Sequence, residues 1–396
     1  MQRYEKKLTY PNFCPPKSVY FCKIATFSTF CLILFLYTFN FRQKNELLTK
    51  KICVIEKNVV NLHGILKVMK IAFTTELPRE GFKRLIERGF PLVRMTDPAD
   101  DDWKSAEVLV STFDFRVPCE MIASMPALRL IANFGAGYNN IDLDACRERG
   151  IRVTNTPQPV VEPTAELAFA LMIDVARRVS EFDRAVRSQH SAFSSFEGFG
   201  VMKNLSHSLY GKTLGIIGMG RIGQALARRA LASGMRVIYH NRHQIDVQRT
   251  DVRCTKDWRR EVIEQAEYVD FQTLLQDSDF VSLNLPYTPE THHLIGKPEL
   301  GMMKRTAYLI NTARGAHVHE AALVEALKNG IIAGAALDVY EHEPAISSEL
   351  LKLPNVVLSP HTGTGTWEGR IAMCENVTDN IIVFVEGRTE AMNVVL

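Results

Sequence analysis

One glycine-rich turn constrains the fold of this chain more than any other feature. The apolar run Leu214–Ile217 leads directly into Gly218-Met219-Gly220-Arg221-Ile222-Gly223, and the helix-forming run Gln224–Arg229 comes next. When strand, turn and helix follow in this order, the first glycine permits the tight turn, the second lets backbone amides approach a pyrophosphate, and the third allows the helix to pack close to the strand. The helix N-terminus adds partial positive charge. The turn therefore predicts a dinucleotide site in a parallel α/β sheet.

The end of the next apolar run indicates which dinucleotide the site binds. Arg236–His240 is followed by Asn241 and Arg242, about twenty residues after the turn, where an NAD site carries an acid for the ribose 2′-hydroxyl. No acid stands there in this sequence, and an Arg can pair with a 2′-phosphate. We therefore predict NADP in preference to NAD. The alternative is that Arg242 is a solvated basic residue in a turn.

The chain from Met69 onward alternates short apolar runs with amphipathic stretches, as in Ile71–Thr74 followed by Gly81–Arg88. This alternation is typical of βαβ units in a parallel sheet covered by helices. Because 396 residues exceed the usual size of one domain, we predict two domains. The predicted fold class is α/β, with two Rossmann-like, doubly wound parallel-sheet domains and an interdomain cleft.

The predicted domains divide the chain unevenly. Residues 69–168 together with 367–396 form the substrate-binding domain, and residues 169–366 form the NAD(P)-binding domain. A helical pattern from Thr164 to about Arg187 is too long for a simple crossover, so we expect it to bridge the two. The pattern Trp367–Phe384 predicts a last helix that returns to the first domain.

The first 68 residues differ in composition from the rest and contain an uncharged stretch of 18 residues, 24–41. A membrane-spanning helix needs about 20 apolar residues, so this stretch is close to the required length. Basic residues on both sides leave its orientation open. The alternative is that translation starts at Met69, which is followed directly by a predicted strand. The first hypothesis predicts a membrane-anchored protein and the second a cytoplasmic one.

The charge of the chain is nearly balanced, with 47 Lys and Arg against 44 Asp and Glu, a net of +3. This is too little to create a field that gathers nucleic acid, and it favours a small-molecule partner. The eight cysteines are scattered, without the spacing of a metal or redox motif. We therefore expect a reducing compartment and no metal site.

Three later apolar runs each end in polar residues. Arg314 follows the first run, Asp338 and Glu343 follow the second, and His361 follows the third. Because the carboxyl ends of parallel strands face the ligand crevice, we expect these side chains to meet there. A planar guanidinium can bind a carboxylate with two hydrogen bonds, and an imidazole beside a carboxylate can supply a proton. The set therefore suits binding of, and proton transfer to, a small carboxylic acid.

On this glycine turn and these three segments, in this order, the chain from about Met69 to its C-terminus resembles the D-isomer-specific 2-hydroxyacid dehydrogenases. The resemblance implies an NAD(P)-dependent enzyme that interconverts a small 2-keto acid and the D-2-hydroxy acid, of the glyoxylate, hydroxypyruvate or phosphoglycerate type. It also implies that Arg314 binds the substrate carboxylate and C2 oxygen, that His361 is the acid/base, and that Glu343 is its partner.

The same resemblance implies further contacts. Backbone amides of the loop Gly135, Ala136 and Gly137 bind the substrate carboxylate, together with Arg314 and His361, and Asp338 contacts the nicotinamide carboxamide. The full set of expected cofactor contacts is Thr164, Gly218, Met219, Gly220, Arg221, Ile222, Gly223, Asn241, Arg242, Pro286, Thr312, Ala313, Asp338, His361 and Gly363. Glu341 and His342, which flank the proposed acid, are expected on the surface.

The resemblance also implies a homodimer, for which the helix that begins near Thr164 and the Phe-rich loop after it are a plausible contact. A different kind of protein uses the same fold. Nucleotide-sensing proteins of the corepressor type recruit partners with it, although the absence of long interaction tails in this sequence argues against that function.

Overall fold

The computed structural model describes residues 69–95, 101–188, 202–246 and 258–396. The extension 1–68, with its apolar stretch 24–41, lies outside these residues. None of the helices within the described ranges is long and apolar enough to cross a bilayer.

The first sheet is parallel throughout, with the strand order β2-β1-β3-β4-β5. Its two five-residue central strands are entirely buried, as expected for apolar runs covered by helices on both faces. Its strands are β1 (Ile71–Phe73), β2 (Leu92–Arg94), β3 (Val108–Thr112), β4 (Leu130–Phe134) and β5 (Arg152–Thr154).

The second sheet is also parallel, with the order β12-β11-β10-β9-β6-β7-β8. The order reverses between β6 and β9, and such a switch point opens a crevice at the carboxyl edge. Its strands are β6 (Thr213–Ile217), β7 (Arg236–His240), β8 (Glu267–Tyr268), β9 (Phe280–Leu283), β10 (Tyr308–Asn311), β11 (Gly334–Leu337) and β12 (Val356–Leu358). The predicted α/β class with two doubly wound parallel sheets is confirmed.

Helices cover both sheets. They are α1 (Lys83–Glu87), α2 (Cys119–Ser124), α3 (Leu143–Glu148), α4 (Val161–Arg177), α5 (Val179–Arg187), α6 (Arg221–Ala232), α7 (Trp258–Gln265), α8 (Phe271–Asp277), α9 (Lys297–Met302), α10 (Glu320–Lys328) and α11 (Trp367–Val385). Short 3-10 turns lie at Arg79–Phe82, Asp101–Ser105, Pro289–Thr291, Gly315–His317, Leu350–Lys352 and Thr389–Ala391.

Two helices pack on a sheet that the order of the chain alone would not assign to them with certainty. The C-terminal helix α11 packs on the first sheet through Met373, Val377 and Ile381, as its apolar pattern predicts. Helix α4 crosses residue 168, and its residues before that point, such as Val161 and Ala165, already lie in the core of the second sheet. The exact division into domains stays a prediction.

The predicted single helix from Thr164 to Arg187 is wrong in one respect, because it is broken at Arg178. This residue has a left-handed backbone with a φ of +58°. The Asp174 carboxylate caps the second helix, since it accepts a hydrogen bond of 2.7 Å from the Ser180 amide and another from the Ser180 hydroxyl. Arg178 is in turn paired with Glu181. These local bonds replace the helical bonds that are lost at the break.

Candidate active site

The carboxyl ends of five neighbouring strands place their following residues in one row. Strands β6, β9, β10, β11 and β12 pair in register at their last residues. The next residues along the chain therefore lie side by side, as Gly218, Asn284, Thr312, Asp338 and Ser359. This edge, beside the switch point, is where doubly wound sheets bind ligands.

The glycine turn has the geometry that its motif requires. Gly218 has a φ of +97°, and a Cβ there would lie 2.6 Å from the carbonyl oxygen of Asn284. A Cβ on Gly223 would overlap the carbonyl oxygen of Gly218, so glycine is needed for the helix to approach the strand. The space around Gly220 is open. The turn therefore leaves room for an anion at the N-terminus of α6, which begins at Arg221.

Two buried polar atoms in the row indicate that a ligand belongs there. Neither Asn284 Oδ1 nor Thr312 Oγ1 has a hydrogen-bond partner within the described residues. A buried polar atom without a partner costs about 1–3 kcal/mol. The residues present therefore fit a dinucleotide across the strand ends. Thr164 of α4 and Gly363 lie close together at one side of this edge.

The residues predicted to distinguish the two dinucleotides lie at the end of β7. Asn241 is bound to the glycine turn, because its Oδ1 accepts a hydrogen bond of 2.8 Å from the Met219 amide. Arg242 is exposed. The pKa of Glu290 is lowered first by hydrogen bonds from its own amide and the Thr288 hydroxyl, and further by the charge of Arg242.

His361 and Glu343 form the pair that the sequence predicts. His361 Nδ1 lies 2.7 Å from Glu343 Oε2, while Glu343 Oε1 accepts a hydrogen bond of 2.9 Å from the Tyr340 amide. Burial raises the pKa of Glu343, but the hydrogen bonds from His361 and Tyr340 and the charges of His361 and Arg314 outweigh it, so the net pKa is lowered. Glu343 is therefore a carboxylate at neutral pH. The Nε2 nitrogen of His361 has no protein partner in the described part of the chain, and so it is available to a substrate.

Asp338 holds the backbone that carries His361. Its two carboxylate oxygens each accept a hydrogen bond of 2.8 Å, one from the Thr362 amide and one from the Gly363 amide. The His361 amide donates to the Asp338 carbonyl at 2.8 Å, and His361 has a φ of +54°. Asp338 thus fixes a turn that aims the imidazole. Its predicted contact with the nicotinamide carboxamide stays a prediction.

Arg314 reaches from the second sheet to a loop of the first. Its Nη1 donates a hydrogen bond of 2.6 Å to the carbonyl of Ala313, and a Cβ on Gly137 would overlap its Nη2. Burial lowers the pKa of Arg314, and the charge of Glu343 acts in the opposite direction. The guanidinium thus lies between the His361–Glu343 pair and the predicted carboxylate-binding loop.

That loop, residues 135–137, has all three of its carbonyls bonded. Asn133 Nδ2 donates to the Gly137 carbonyl at 2.7 Å, Asn155 Nδ2 donates to the Ala136 carbonyl at 2.8 Å, and the Thr156 amide donates to the Gly135 carbonyl at 3.0 Å. The amides of Ala136 and Gly137 have no acceptor among the residues described. An arrangement with bonded carbonyls and free amides binds anions.

Sequence reasoning missed several residues of this site. The Phe113 ring lies 4.5 Å from the His361 ring, centroid to centroid, and the Arg370 guanidinium lies over both Phe113 and Phe134. Phe113 comes just after the end of β3. The rule that residues following the carboxyl ends of parallel strands face the ligand site would have found it, had it been applied to the first sheet. Arg370 carries no such signal, since it lies within a helix whose pattern predicts only packing.

One predicted surface position is wrong. Glu341 is only 13% exposed, because its Oε1 lies 2.6 Å from His293 Nε2 and its Oε2 accepts a hydrogen bond from the Glu320 amide. These bonds hold the loop after β11 against α10. His342, in contrast, is 77% exposed, as predicted.

The remaining predicted cofactor contacts lie near the same edge. Pro286 is exposed in the loop after β9, and Ala313 follows Thr312 directly. Ile222, in the first turn of α6, packs against the hydrophobic core of the second sheet. The predicted site residues thus come together, while their roles stay predictions.

Comparison with known proteins shows the family. Residues 169–363 match the sequence model of the "D-isomer specific 2-hydroxyacid dehydrogenase, NAD binding domain". Glyoxylate reductase of Thermococcus litoralis is 45% identical over 325 residues, 80% of this chain and 94% of that protein.

Two solved structures are similar over most of the chain. The NADPH-dependent glyoxylate/hydroxypyruvate reductase of Sinorhizobium meliloti, in complex with NADP and malonate, has a TM-score of 0.68 and 31% identity, covering 80% of this chain and 94% of that one. D-lactate dehydrogenase of Aquifex aeolicus, complexed with NAD and lactic acid, has a TM-score of 0.70 and 29% identity, covering 82% and 99%. With its glycine turn, its His361–Glu343 pair and its Arg314 in place, the chain belongs to the D-isomer-specific 2-hydroxyacid dehydrogenases and is an NAD(P)-dependent oxidoreductase.

Proposed function

We propose that this enzyme reduces a 2-keto acid of the glyoxylate or hydroxypyruvate type to the D-2-hydroxy acid, with NADPH as the preferred cofactor. The observation that carries the proposal is the contact of Arg314 with Gly137. This contact brings the guanidinium from the second sheet next to the unbonded amides of Ala136 and Gly137 in the first. Together these groups define a small site for a carboxylate. A relative named as a glyoxylate reductase supports this substrate class.

The residues of the chain divide the chemical work. Bound NADPH supplies the hydride that is added to C2. Arg314 and the amides of Ala136 and Gly137 bind the substrate carboxylate and orient the keto group. His361 donates a proton from Nε2 to the C2 oxygen as that oxygen gains charge, so hydride and proton together complete the alcohol. Glu343, bound at Nδ1, sets the orientation of the ring and so directs Nε2.

Steady-state kinetics test this proposal. We expect glyoxylate or hydroxypyruvate to have the highest kcat/KM in a panel that also contains the phosphorylated three-carbon keto acid and pyruvate. A preference for the phosphorylated acid would move the enzyme to the phosphoglycerate type. If none of the panel were reduced with either cofactor, the proposed activity would be wrong.

The preference for NADPH depends on Arg242. We expect Arg242→Ala to raise the Kd for NADPH about tenfold, because a charge-assisted hydrogen bond to the 2′-phosphate is lost. The Kd for NADH should stay within about twofold, since NADH has no such phosphate. Fluorescence titration of both cofactors measures the effect. The matched control is Arg236→Ala, at the opposite end of β7, and equal losses for NADPH and NADH in the Arg242 variant would contradict the assignment.

We also propose that two copies of the chain form a dimer. Among the described residues between 173 and 210, six large apolar side chains are exposed, namely Ile173, Val179, Val186, Met202, Leu205 and Tyr210. Residues 189–201, part of the predicted contact loop, lie outside the described residues. The same patch on two copies of the chain can pack together and so be removed from water.

A cytoplasmic location stays a prediction.

Light scattering after size exclusion tests the dimer. We expect twice the chain mass for the native protein, and a single chain mass for a Val179→Glu, Val186→Glu variant, because both side chains are exposed on α5. The control is Ile86→Glu on α1, which is equally exposed but belongs to the first sheet. A native protein with a single chain mass would refute the proposal.

A further inference from the structure

His317 is a buried histidine that the proposed chemistry does not use. It lies in the 3-10 turn Gly315–His317, directly after Arg314, and it is 0% exposed. Its Nδ1 lies 3.1 Å from the carbonyl oxygen of Thr291, and its Nε2 lies 3.1 Å from the carbonyl oxygen of Leu285. One side chain therefore bridges the two ends of the loop Leu285–Thr291.

The turn that carries His317 is held by contacts of its own. The Arg314 carbonyl accepts a hydrogen bond of 2.9 Å from Asn311 Nδ2. A Cβ on Gly315 would overlap the backbone of Tyr340, so the turn packs backbone to backbone against the segment after β11. The turn thus has its own supports, independent of the loop that His317 holds.

The loop, in contrast, is a surface segment. Pro286, Pro289 and Glu290 are all exposed, and the loop contains only the short turn Pro289–Thr291. It starts directly after Asn284, whose Oδ1 has no partner among the described residues, and it includes Pro286, one of the predicted cofactor contacts. The loop therefore runs along the predicted dinucleotide site. Just beyond its Thr291 end, the His293 amide donates a hydrogen bond of 2.8 Å to the Ala316 carbonyl, so the backbone also ties that end to the Arg314 turn. At the other end, the Leu285 carbonyl faces His317 Nε2.

Two carbonyl acceptors face one imidazole, so the protonation of the ring matters to the bridge. A neutral imidazole donates one hydrogen bond and an imidazolium donates two. Burial lowers the pKa of His317, the two carbonyls favour the protonated ring, and the charge of Arg314 opposes it, with a net lowering. In either form at least one end of the loop is held.

We propose that His317 is a positioning residue that holds the Leu285–Thr291 loop against the Arg314 turn and so shapes the dinucleotide site. The inference rests on the proposed function, because it assigns the loop to cofactor binding. His317 does not touch the reacting atoms in this proposal. Its effect should therefore appear in cofactor affinity and not in the chemical step.

Direct binding of NADPH, measured by fluorescence titration, tests the proposal. His317→Leu removes both ring nitrogens, and we expect its Kd for NADPH to rise about tenfold, because the imidazole no longer bridges the Leu285 and Thr291 carbonyls and the loop shifts. His317→Gln keeps one amide donor group, so its Kd should rise less. The kcat at saturating cofactor and the KM for the keto acid should stay within about threefold for both variants. His342→Leu, which changes a histidine that is 77% exposed and outside this loop, is the matched control and should bind NADPH as the native protein does.

The outcomes separate the two proposals. If both His317 variants bound NADPH within about twofold of the native protein, while melting at a lower temperature, His317 would be structural only and the inference would be wrong. If His317→Leu did not fold, an unchanged Kd in His317→Gln would overturn it equally. If the native protein bound NADPH but reduced no 2-keto acid, the proposed substrate would be wrong, and the Kd comparison would still decide the role of His317.

Discussion

Replacement of His361 by alanine is expected to lower kcat by roughly a hundredfold to ten-thousandfold, the usual contribution of a positioned acid/base group. The reason is that His361 Nε2 is free of protein partners among the described residues while Nδ1 is bound to the Glu343 carboxylate at 2.7 Å. Without the imidazole, the C2 oxygen must take its proton from water. Pre-steady-state measurement of NADPH oxidation at saturating substrate gives the change in the chemical step.

The control for this variant is His342→Ala, since His342 is exposed and lies next to Glu343. We expect its kcat to equal that of the native enzyme. The Kd of His361→Ala for NADPH should stay nearly native, which shows that the variant is folded. A His361→Ala enzyme with native turnover would remove the acid/base role from this residue.

Replacement of Arg314 by lysine is expected to lower kcat/KM for the keto acid by roughly a hundredfold to a thousandfold, comparable to the loss of one donor that stabilises transition-state charge. Lysine keeps a positive charge but lacks the planar fork that binds a carboxylate with two hydrogen bonds. It also lacks the Nη2 group that packs on Gly137. The loss should include an increased KM, because the carboxylate is bound in the ground state as well.

The control for Arg314→Lys is Arg305→Lys, in which an exposed arginine changes in the same way. Its kcat/KM should match the native value. Titration with NADPH distinguishes a substrate defect from a collapsed site, since cofactor affinity should be nearly unchanged in Arg314→Lys. Native kcat/KM in this variant would show that the guanidinium fork does not bind the substrate.

The order of local signals along the chain was sufficient to predict the fold class and the proposed site. A strand, a glycine turn and a helix make a dinucleotide site through neighbours in sequence, so Gly218 and Gly223 could be assigned without coordinates. The strand-end rule placed Arg314, Asp338 and His361 at one edge, because parallel strands in register align the residues that follow them.

Other features depend on contacts between distant segments, and only the tertiary structure decided them. Arg178 looks like a helical residue, yet the helix breaks there and its Nη1 donates a hydrogen bond of 3.1 Å to the carbonyl of Leu205, 27 residues later. Glu341 looks like a surface acid, yet His293, 48 residues earlier, pairs with it.

The sequence by itself determined which groups were proposed for the chemistry, because residue chemistry and strand periodicity are local properties. The tertiary structure decided what holds those groups in place: the turn fixed by Asp338 under His361, the Phe113 ring against the imidazole, and the His317 bridge to the Leu285–Thr291 loop. The physical reason is that each of these contacts joins segments that are far apart in sequence and meet only when the chain has packed, which no local pattern encodes.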